Sequence, residues 1–312
     1  MKYLNNSSLI LIMLLIGFSL KAQVPEGYYL SAEGKSGAEL KTALFNIIKE
    51  PKVVAYSELW KAFEKTDSRK NNIVWDIYSD NAMGSAEYYY TFSKDRCGTF
   101  KKEGDCYNRE HTLPRSWFKG SRLLESDLYH VYPTDGYVNN RRSNFPFGEV
   151  GISIWESTNG SKVGQNTFGN YTKTVFEPID EYKGDIARTY FYMVTAYEDI
   201  VPLWRSDQLS ESSYPGLSEW SLQLLLKWHR QDPVSLKEVR RNEEVSKIQG
   251  NRNPFIDYPQ LVEYVWGADS SLAFEPDSLT DSFVLIEYSP FERWLTQQRW
   301  VENLKQYFNR EK

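Results

Sequence analysis

Two short polar blocks near the middle of the chain restrict its possible folds and chemistry more than any other feature. The first, residues 108–118, reads NREHTLPRSWF, and the second, residues 127–144, reads DLYHVYPTDGYVNNRRSN. Together they hold two of the three histidines of the chain and four arginines, along with carboxylates and amides. A base, a carboxylate, a neutral oxygen ligand and nearby cations are what hydrolysis of a phosphodiester with one metal ion requires.

The spacing of the two blocks predicts how they meet. Glu110 and Asn139 are too far apart in sequence to be neighbours on one helix, but they suit a strand, a connection, a second strand and a helix. Residues 128–132 supply the second strand. The helix that follows takes Asp135 or Thr134 as its N-cap, which places Asn139 about one turn inside.

The residue types in these blocks fit a particular division of labour. His111 suits a general base because its ordinary pKa lies near neutrality. Glu110 and Asn139 offer two oxygens, which is enough for a hard cation such as Mg²⁺ that keeps several waters. Because successive side chains on a strand point to opposite faces, Glu110 and His111 need a bulge or a turn to reach one site.

The flanking sequence predicts a mostly helical α+β domain. Ser36-Gly-Ala-Glu39 has the capping-box pattern, and apolar residues follow it at helical spacing. Similar patterns predict helices over residues 37–49, 56–63, 186–197, 222–229, 238–248 and about 291–308, strands over 73–78 and 88–92, and loops with short strands over 148–169.

The start of the chain predicts export. Residues 1–22 open with positive charge, continue with an apolar run and end at Ala22, which is the pattern of a secretory signal peptide. The run is shorter than the roughly 20 residues that span a bilayer, with a retained membrane anchor as the alternative. We expect a domain over residues 23–267, a C-terminal extension over 268–312 with the closing helix, and no membrane segment after cleavage.

Two cysteines, Cys97 and Cys106, lie just before the first block. In an exported protein they are expected to form a structural disulfide, with two free thiols as the alternative. A zinc site is disfavoured because two cysteines and one nearby histidine are too few ligands.

The net charge of the chain limits how it could bind a polyanion. It carries 37 basic and 42 acidic residues, for a formal charge of −5. Any site for nucleic acid must therefore be a local patch, or must use a divalent cation to neutralise phosphate.

The order of the blocks resembles the bacterial endonuclease I family, secreted or periplasmic nucleases with a ββα-metal (His-Me) finger. Residues 110–114 are similar to the family's Glu-His-hydrophobic-hydrophobic-Pro block, except at Thr112. Residues 125–130 are similar to its Glu-Ser-Asp block with a following His, and residues 136–144 to its Gly-x-Val-Asn-x-x-Arg-x-Asn block. Similar segments at 184–193 and 248–255 extend the resemblance over about residues 72–258.

This resemblance implies a ββα-metal catalytic core embedded in a mostly helical single domain. His111 would be the general base, and Glu110 and Asn139 would hold Mg²⁺ or another divalent ion such as Mn²⁺ or Ca²⁺. The family draws an arginine for the scissile phosphate from a Cys- and Gly-rich insertion, which this chain lacks. The candidates for that role are not ranked by the sequence: Arg115, Lys119 and Arg122.

Other polar residues of the matching region have two interpretations each. Arg142 is assigned to catalysis and Asn144 to substrate binding, with bracing of the helix as the alternative. Arg188 lies in an apolar helix, where an unpaired charge is costly, so it needs an acidic or a phosphate partner. Arg252 lies in a polar loop that could follow the backbone of nucleic acid. The remaining histidines are expected to be structural: His130 and His229.

The expected activity is hydrolysis of DNA, and also of RNA, by a secreted or periplasmic metal-dependent endonuclease. Contacts to phosphate and sugar would leave it with little sequence preference, and the resemblance implies 5′-phosphate products. The alternatives are a ribonuclease or phosphodiesterase on the same fold, and a non-catalytic exported module that binds glycans. An intact set of Glu110, His111 and Asn139 argues against the non-catalytic module. The sequence does not reveal the oligomeric state.

Overall fold

A computed structural model describes residues 24–80, 86–118 and 122–275 of the chain. The predicted signal peptide and the predicted closing helix lie outside the described residues. Within the described ranges, no helix combines the length and the hydropathy needed to cross a bilayer.

Strands β1 and β2 (Ser68–Arg69 and Ile73–Val74) form a small antiparallel pair near the start of the domain. The sequence predicts longer strands here, over residues 73–78 and 88–92, and this is wrong. A carboxylate oxygen of Asp76 accepts hydrogen bonds from the backbone N–H groups of Tyr78 at 2.8 Å and Ser79 at 3.0 Å, which closes a turn. The second predicted strand is reduced to a bridge between Ile73 and Thr91.

The two polar blocks form a hairpin followed by a helix. Strand β3 (Tyr107–His111) pairs antiparallel with β4 (Val131–Asp135), which places Glu110 opposite Tyr132 and His111 opposite Val131. The second strand begins three residues later than predicted. Residues 127–130 form a turn instead, in which a carboxylate oxygen of Asp127 accepts from the N–H of Tyr129 at 2.8 Å.

Helix α4 (Gly136–Arg142) follows β4 directly. Asp135 is its N-cap, because one carboxylate oxygen accepts from the N–H groups of Tyr137 at 2.6 Å and Val138 at 2.9 Å. These are N–H groups that the helix itself cannot satisfy. The predicted cap is therefore confirmed at Asp135, and Asn139 lies one turn inside the helix.

Helices surround this unit. They are α1 (Gly37–Ile48), α2 (Leu59–Thr66), α3 (Arg122–Ser126), α5 (Lys183–Ala196), α6 (Glu219–Gln231), α7 (Leu236–Gln249), α8 (Pro254–Asp257) and α9 (Leu261–Trp266). All 14 residues of α5 are buried, and α1 and α6 pack against it. The predicted helices over residues 37–49, 186–197, 222–229 and 238–248 are confirmed, with ends shifted by a few residues.

A three-stranded antiparallel sheet completes the domain. It has the order β5 (Val150–Glu156), β6 (Lys162–Asn166) and β7 (Thr174–Glu177). The described start of the predicted extension packs onto the domain: Phe274 is fully buried, donates its N–H to the carbonyl of Lys35 and accepts at its own carbonyl from Gly34. Mixed helices and small antiparallel sheets confirm the α+β class.

Replacing His229 with Gln is expected to make folding stability less dependent on pH. Burial, with the nearby charge of Arg188, lowers the pKa of His229 from 6.5 to about 3. Between these values the unfolded chain takes up a proton that the folded chain does not. Acid therefore destabilises the wild type, and His229 accounts for about 2 kcal/mol of that loss at about pH 5.

Urea unfolding of wild type and His229→Gln at about pH 8 and about pH 5 measures this difference. The variant should lose less free energy of unfolding than the wild type over that interval. Equal losses in the two proteins would show that His229 does not remain neutral in the folded state.

Candidate active site

His111 ends strand β3 with its ring largely buried. Its Nε2 lies 3.0 Å from the backbone carbonyl oxygen of Glu125. Because a carbonyl only accepts, Nε2 must carry the proton of the neutral ring, and Nδ1 keeps the lone pair. Burial, with the neighbouring His130, lowers the pKa of His111 to about 3. The imidazole is thus neutral at physiological pH, and the lone pair of Nδ1 is its one acceptor.

Glu110 precedes His111 and is also buried. Strands β3 and β4 pair without the bulge that was one of the two predicted alternatives, and the strand ends at His111 in a bend over residues 112–113. The Tyr78 hydroxyl donates to its Oε1 at 2.7 Å, and Nη1 of Arg142 lies 3.3 Å from the same oxygen. Burial raises the pKa of Glu110, while Arg142 and Tyr78 act in the opposite direction. The carboxylate is therefore held in one orientation by two long-range partners.

Asn139 faces β3 from the first turn of α4. Its Nδ2 donates to Oδ1 of Asn108 at 2.7 Å and to the carbonyl of Arg109 at 3.3 Å. Both contacts use the amide nitrogen, so the amide oxygen is left as an acceptor beside the strand that carries Glu110. The hairpin and helix thereby bring together oxygens that are distant in sequence.

These oxygens fit one kind of metal better than another. The described residues contain no cluster of three or more His, Cys, Asp or Glu side chains arranged to hold a metal. A structural zinc ion would need such a set. A Mg²⁺-like ion needs only one or two protein oxygens and retains water for the rest, which Glu110 and Asn139 can satisfy.

Arg142 lies beneath the site, in conflict with its prediction as a catalytic residue. Its side chain is 1% exposed, and Nη2 donates to the carbonyl of Thr112 at 2.6 Å while Nη1 donates to that of His111 at 3.3 Å. With the Glu110 contact, these bonds tie α4 to the end of β3. Arg142 therefore positions the strand instead of facing substrate.

The remaining cationic and polar candidates near the site differ in accessibility. Arg115 is 53% exposed and pairs with Glu125 at 2.6 Å, beside the carbonyl that holds His111. Asn144 is exposed after the end of α4. Lys119 lies outside the described residues, as does the side chain of Arg122.

Arg188 and Arg252 are interior, in conflict with their prediction as substrate contacts. Arg188 is fully buried and holds both carboxylate oxygens of Glu238, at 2.5 and 2.9 Å. Arg252 is almost fully buried, and Asp257 accepts from it at 2.7 Å through both oxygens. Each guanidinium is paired by a carboxylate, as a buried charge requires. The first pair joins α5 to α7, and the second joins the loop after α7 to the end of α8.

His130 is a packing residue, as predicted. It is fully buried, its Nε2 bonds to the carbonyl of Leu124, and its ring meets that of His111 with centroids 5.5 Å apart. Asp127 of the same block accepts from the hydroxyls of Tyr192 and Tyr197 at 2.9 and 2.7 Å. This block therefore shapes the turn behind the site.

Sequence reasoning missed three residues that contact the site. Tyr78 orients Glu110 from a separate turn, and nothing in its local sequence marks it. Tyr56 stacks on the His111 ring with centroids 6.0 Å apart and planes at 25°. Arg109 was detectable, since it precedes His111 by two positions on a strand and therefore lies on the same face.

The predicted disulfide between Cys97 and Cys106 is present and lies against the site. It packs on Gly136, the first residue of α4: a Cβ added there would lie 2.6 Å from Sγ of Cys97. The carbonyl of Cys106 also accepts from the N–H of Gly136 at 2.9 Å. The bridge therefore connects the entry to β3 with the start of the helix that carries Asn139.

Replacing both cysteines with Ser is expected to lower turnover markedly while the domain stays folded. A loop this short contributes about 2 to 3 kcal/mol of chain entropy, set against a large aromatic core. The strand and the helix that hold Glu110 and Asn139 would lose their common anchor. Melting temperature and turnover of the double variant are the readouts, and unchanged turnover would remove any positioning role of the bridge.

Comparison with known proteins gives a consistent set of matches. The Endonuclease I family matches residues 36–260 of the chain. An extracellular ribonuclease of Bacillus amyloliquefaciens is 36% identical over 250 residues, 77% of this chain and 78% of its own. That of Bacillus subtilis (strain 168) is 36% identical over 248 residues, with the same shares. An extracellular deoxyribonuclease of Aeromonas hydrophila is 30% identical over 167 residues, 47% of this chain and 64% of its own.

Proposed function

The chain belongs to the endonuclease I family, and we propose that Glu110, His111 and Asn139 form its active site for phosphodiester hydrolysis. The family is one of divalent-metal-dependent nucleases, so the chain is a nucleic-acid-hydrolysing enzyme. This membership sets aside a non-catalytic glycan-binding module. The observation that supports the proposal is one hairpin-and-helix unit that carries all three residues: the His111 ring is held through Nε2, the Glu110 carboxylate by Tyr78, and the Asn139 amide by Asn108.

In this proposal His111 acts as the general base. Nδ1 accepts a proton from a water molecule as that water attacks phosphorus, while the Glu125 carbonyl holds Nε2–H and fixes the ring. The bond from phosphorus to the 3′ oxygen breaks, and the departing oxygen takes up a proton from solvent water, which leaves a 5′-phosphate and a 3′-hydroxyl. Tyr78 and Arg142 keep Glu110 in place throughout.

Glu110 and Asn139 would hold the divalent ion, with Mg²⁺ the proposed species. Bound there, it would stabilise negative charge on the phosphoryl oxygens and on the departing 3′ oxygen. The exposed Arg115, which already pairs with Glu125 next to His111, is placed to assist phosphate binding.

We propose RNA as the better substrate. The matching ribonucleases align with 77% of this chain, whereas the matching deoxyribonuclease of Aeromonas hydrophila aligns with 47%. Their names, together with the pattern of residues 1–22, support an extracellular or periplasmic location. DNA should still be cleaved, because a water nucleophile does not require the 2′-hydroxyl.

Cleavage of one sequence as single-stranded RNA, single-stranded DNA and double-stranded DNA tests the preference. We expect kcat/KM on RNA to exceed that on DNA by about tenfold, the size of one or two hydrogen bonds to the 2′-hydroxyl. Equal or faster cleavage of DNA would assign the chain to the deoxyribonuclease side of the family.

A further inference from the structure

We propose that Arg109, clamped by the rings of Tyr56 and Trp60, binds a backbone phosphate of the substrate next to the scissile bond. This inference rests on the proposed function of the His111 site. It adds a binding residue that the catalytic scheme above does not use.

The position of Arg109 follows from strand geometry. It precedes His111 by two residues on β3, so the two side chains lie on one face of the strand. The guanidinium carbon lies 3.6 Å from the centroid of the Tyr56 ring, and the same ring stacks on His111. A single aromatic ring thus links the guanidinium to the general base.

Besides the Tyr56 ring, two further contacts fix the orientation of the guanidinium. Nη1 donates to the carbonyl of Tyr56 at 2.7 Å, and the Trp60 ring lies 4.6 Å from the guanidinium carbon. None of these partners is negatively charged. A guanidinium has five N–H donors, so this arrangement leaves donors available in a fixed plane.

The charges around Arg109 favour an anionic ligand. Among the ion pairs of the described residues, neighbouring Arg96 pairs with Glu64 and Arg115 with Glu125, but none includes Arg109. Three arginines lie over the rings of Tyr56 and Trp60 in a chain of net charge −5, and this local positive charge favours an anionic ligand such as a phosphate.

The surrounding residues also match recognition of a single strand. Proteins that bind single-stranded nucleic acid combine cations along the backbone with aromatic rings and stacked arginines. Tyr56 is 36% exposed and Trp60 is partly exposed, and both lie along the same face as Arg109. The cluster of Tyr56, Trp60 and Arg109 thus extends the site along β3 away from His111.

The test measures binding of a single-stranded RNA oligonucleotide by fluorescence anisotropy over a range of salt. All proteins carry His111→Ala, so that the RNA is not cut. Arg109→Ala and Arg109→Gln should each weaken binding about tenfold at low salt and reduce the slope of log K against log salt by about 0.7, the value for one phosphate on a single strand.

Two variants of Tyr56 separate the charge of Arg109 from the orientation of its guanidinium, and a third variant is the control. Tyr56→Ala should weaken binding with little change in slope, and Tyr56→Phe should bind more tightly than Tyr56→Ala because it keeps the ring. Arg230→Ala removes the same charge from α6, where Arg230 pairs with Glu263 of α9, and it should change neither quantity. In active protein, Arg109→Gln should raise KM by about tenfold with kcat within about twofold.

An unchanged salt slope in both Arg109 variants, with melting temperatures near that of the parent, would overturn the proposal and leave Arg109 as a structural residue. That outcome is distinct from failure of the proposed function, which would appear as continued cleavage by the His111→Ala protein itself.

Discussion

His111→Ala is expected to lower kcat by about 10² to 10⁴ while leaving binding of RNA and of the metal near normal. A general base contributes about this much to a hydrolysis rate. His111 is not bonded to Glu110 or Asn139, so its removal should leave those oxygens in place. Single-turnover cleavage with saturating enzyme measures the chemical step directly.

His111→Gly with added imidazole sharpens this test. The free base should restore part of the lost rate in proportion to its unprotonated concentration. His229→Gln, which removes a buried histidine on α6, serves as the matched control and should cleave like the wild type. Retention of most single-turnover activity in His111→Ala would remove the base assignment.

Glu110→Gln and Asn139→Ala are each expected to raise the Mg²⁺ concentration that supports half-maximal cleavage, and to lower the maximal rate. Glu110→Gln keeps the shape of the side chain, so Arg142 is not left facing an empty space. Combining the two changes should do little further harm, because residues that serve one ion act as a unit.

Magnesium titrations of activity for the two single variants and the double variant provide the measurement. Asn170→Ala is a suitable control, since this exposed residue lies between β6 and β7 and outside the contacts that orient Glu110 and Asn139. Losses that multiply in the double variant would show that the two side chains act independently, and an unchanged Mg²⁺ requirement would remove both as ligands.

Local sequence was sufficient to predict those elements that form through interactions between neighbouring residues. The helix over residues 37–49 follows from its apolar periodicity and is present, although the predicted capping box is not, because Ser36 makes no side-chain cap hydrogen bond. The N-cap at Asp135 follows from its residue type and is present. The start of β4 was misplaced because the Asp127 side chain forms a turn with the backbone of Tyr129, which competes with strand pairing. An apolar stretch alone does not reveal that competition.

The roles of the arginines could not be predicted from local sequence. Arg188 pairs with Glu238, and Arg142 bonds to carbonyls that lie about 30 positions earlier in the chain. Burial and pairing depend on tertiary contacts, so an arginine in a matching block looks the same whether it braces the fold or faces substrate. Arg109, by contrast, could be placed beside His111 from strand alternation alone.

The central claim is that a metal-dependent hydrolytic site lies at Glu110, His111 and Asn139. Its most direct test is cleavage of an end-labelled RNA oligonucleotide by the wild-type protein before and after EDTA, with the product ends read by mass spectrometry. We predict that EDTA stops cleavage, that Mg²⁺ restores it, and that the products carry 5′-phosphate and 3′-hydroxyl ends. Cleavage that is indifferent to EDTA, or products with cyclic or 3′-phosphate ends, would contradict the account.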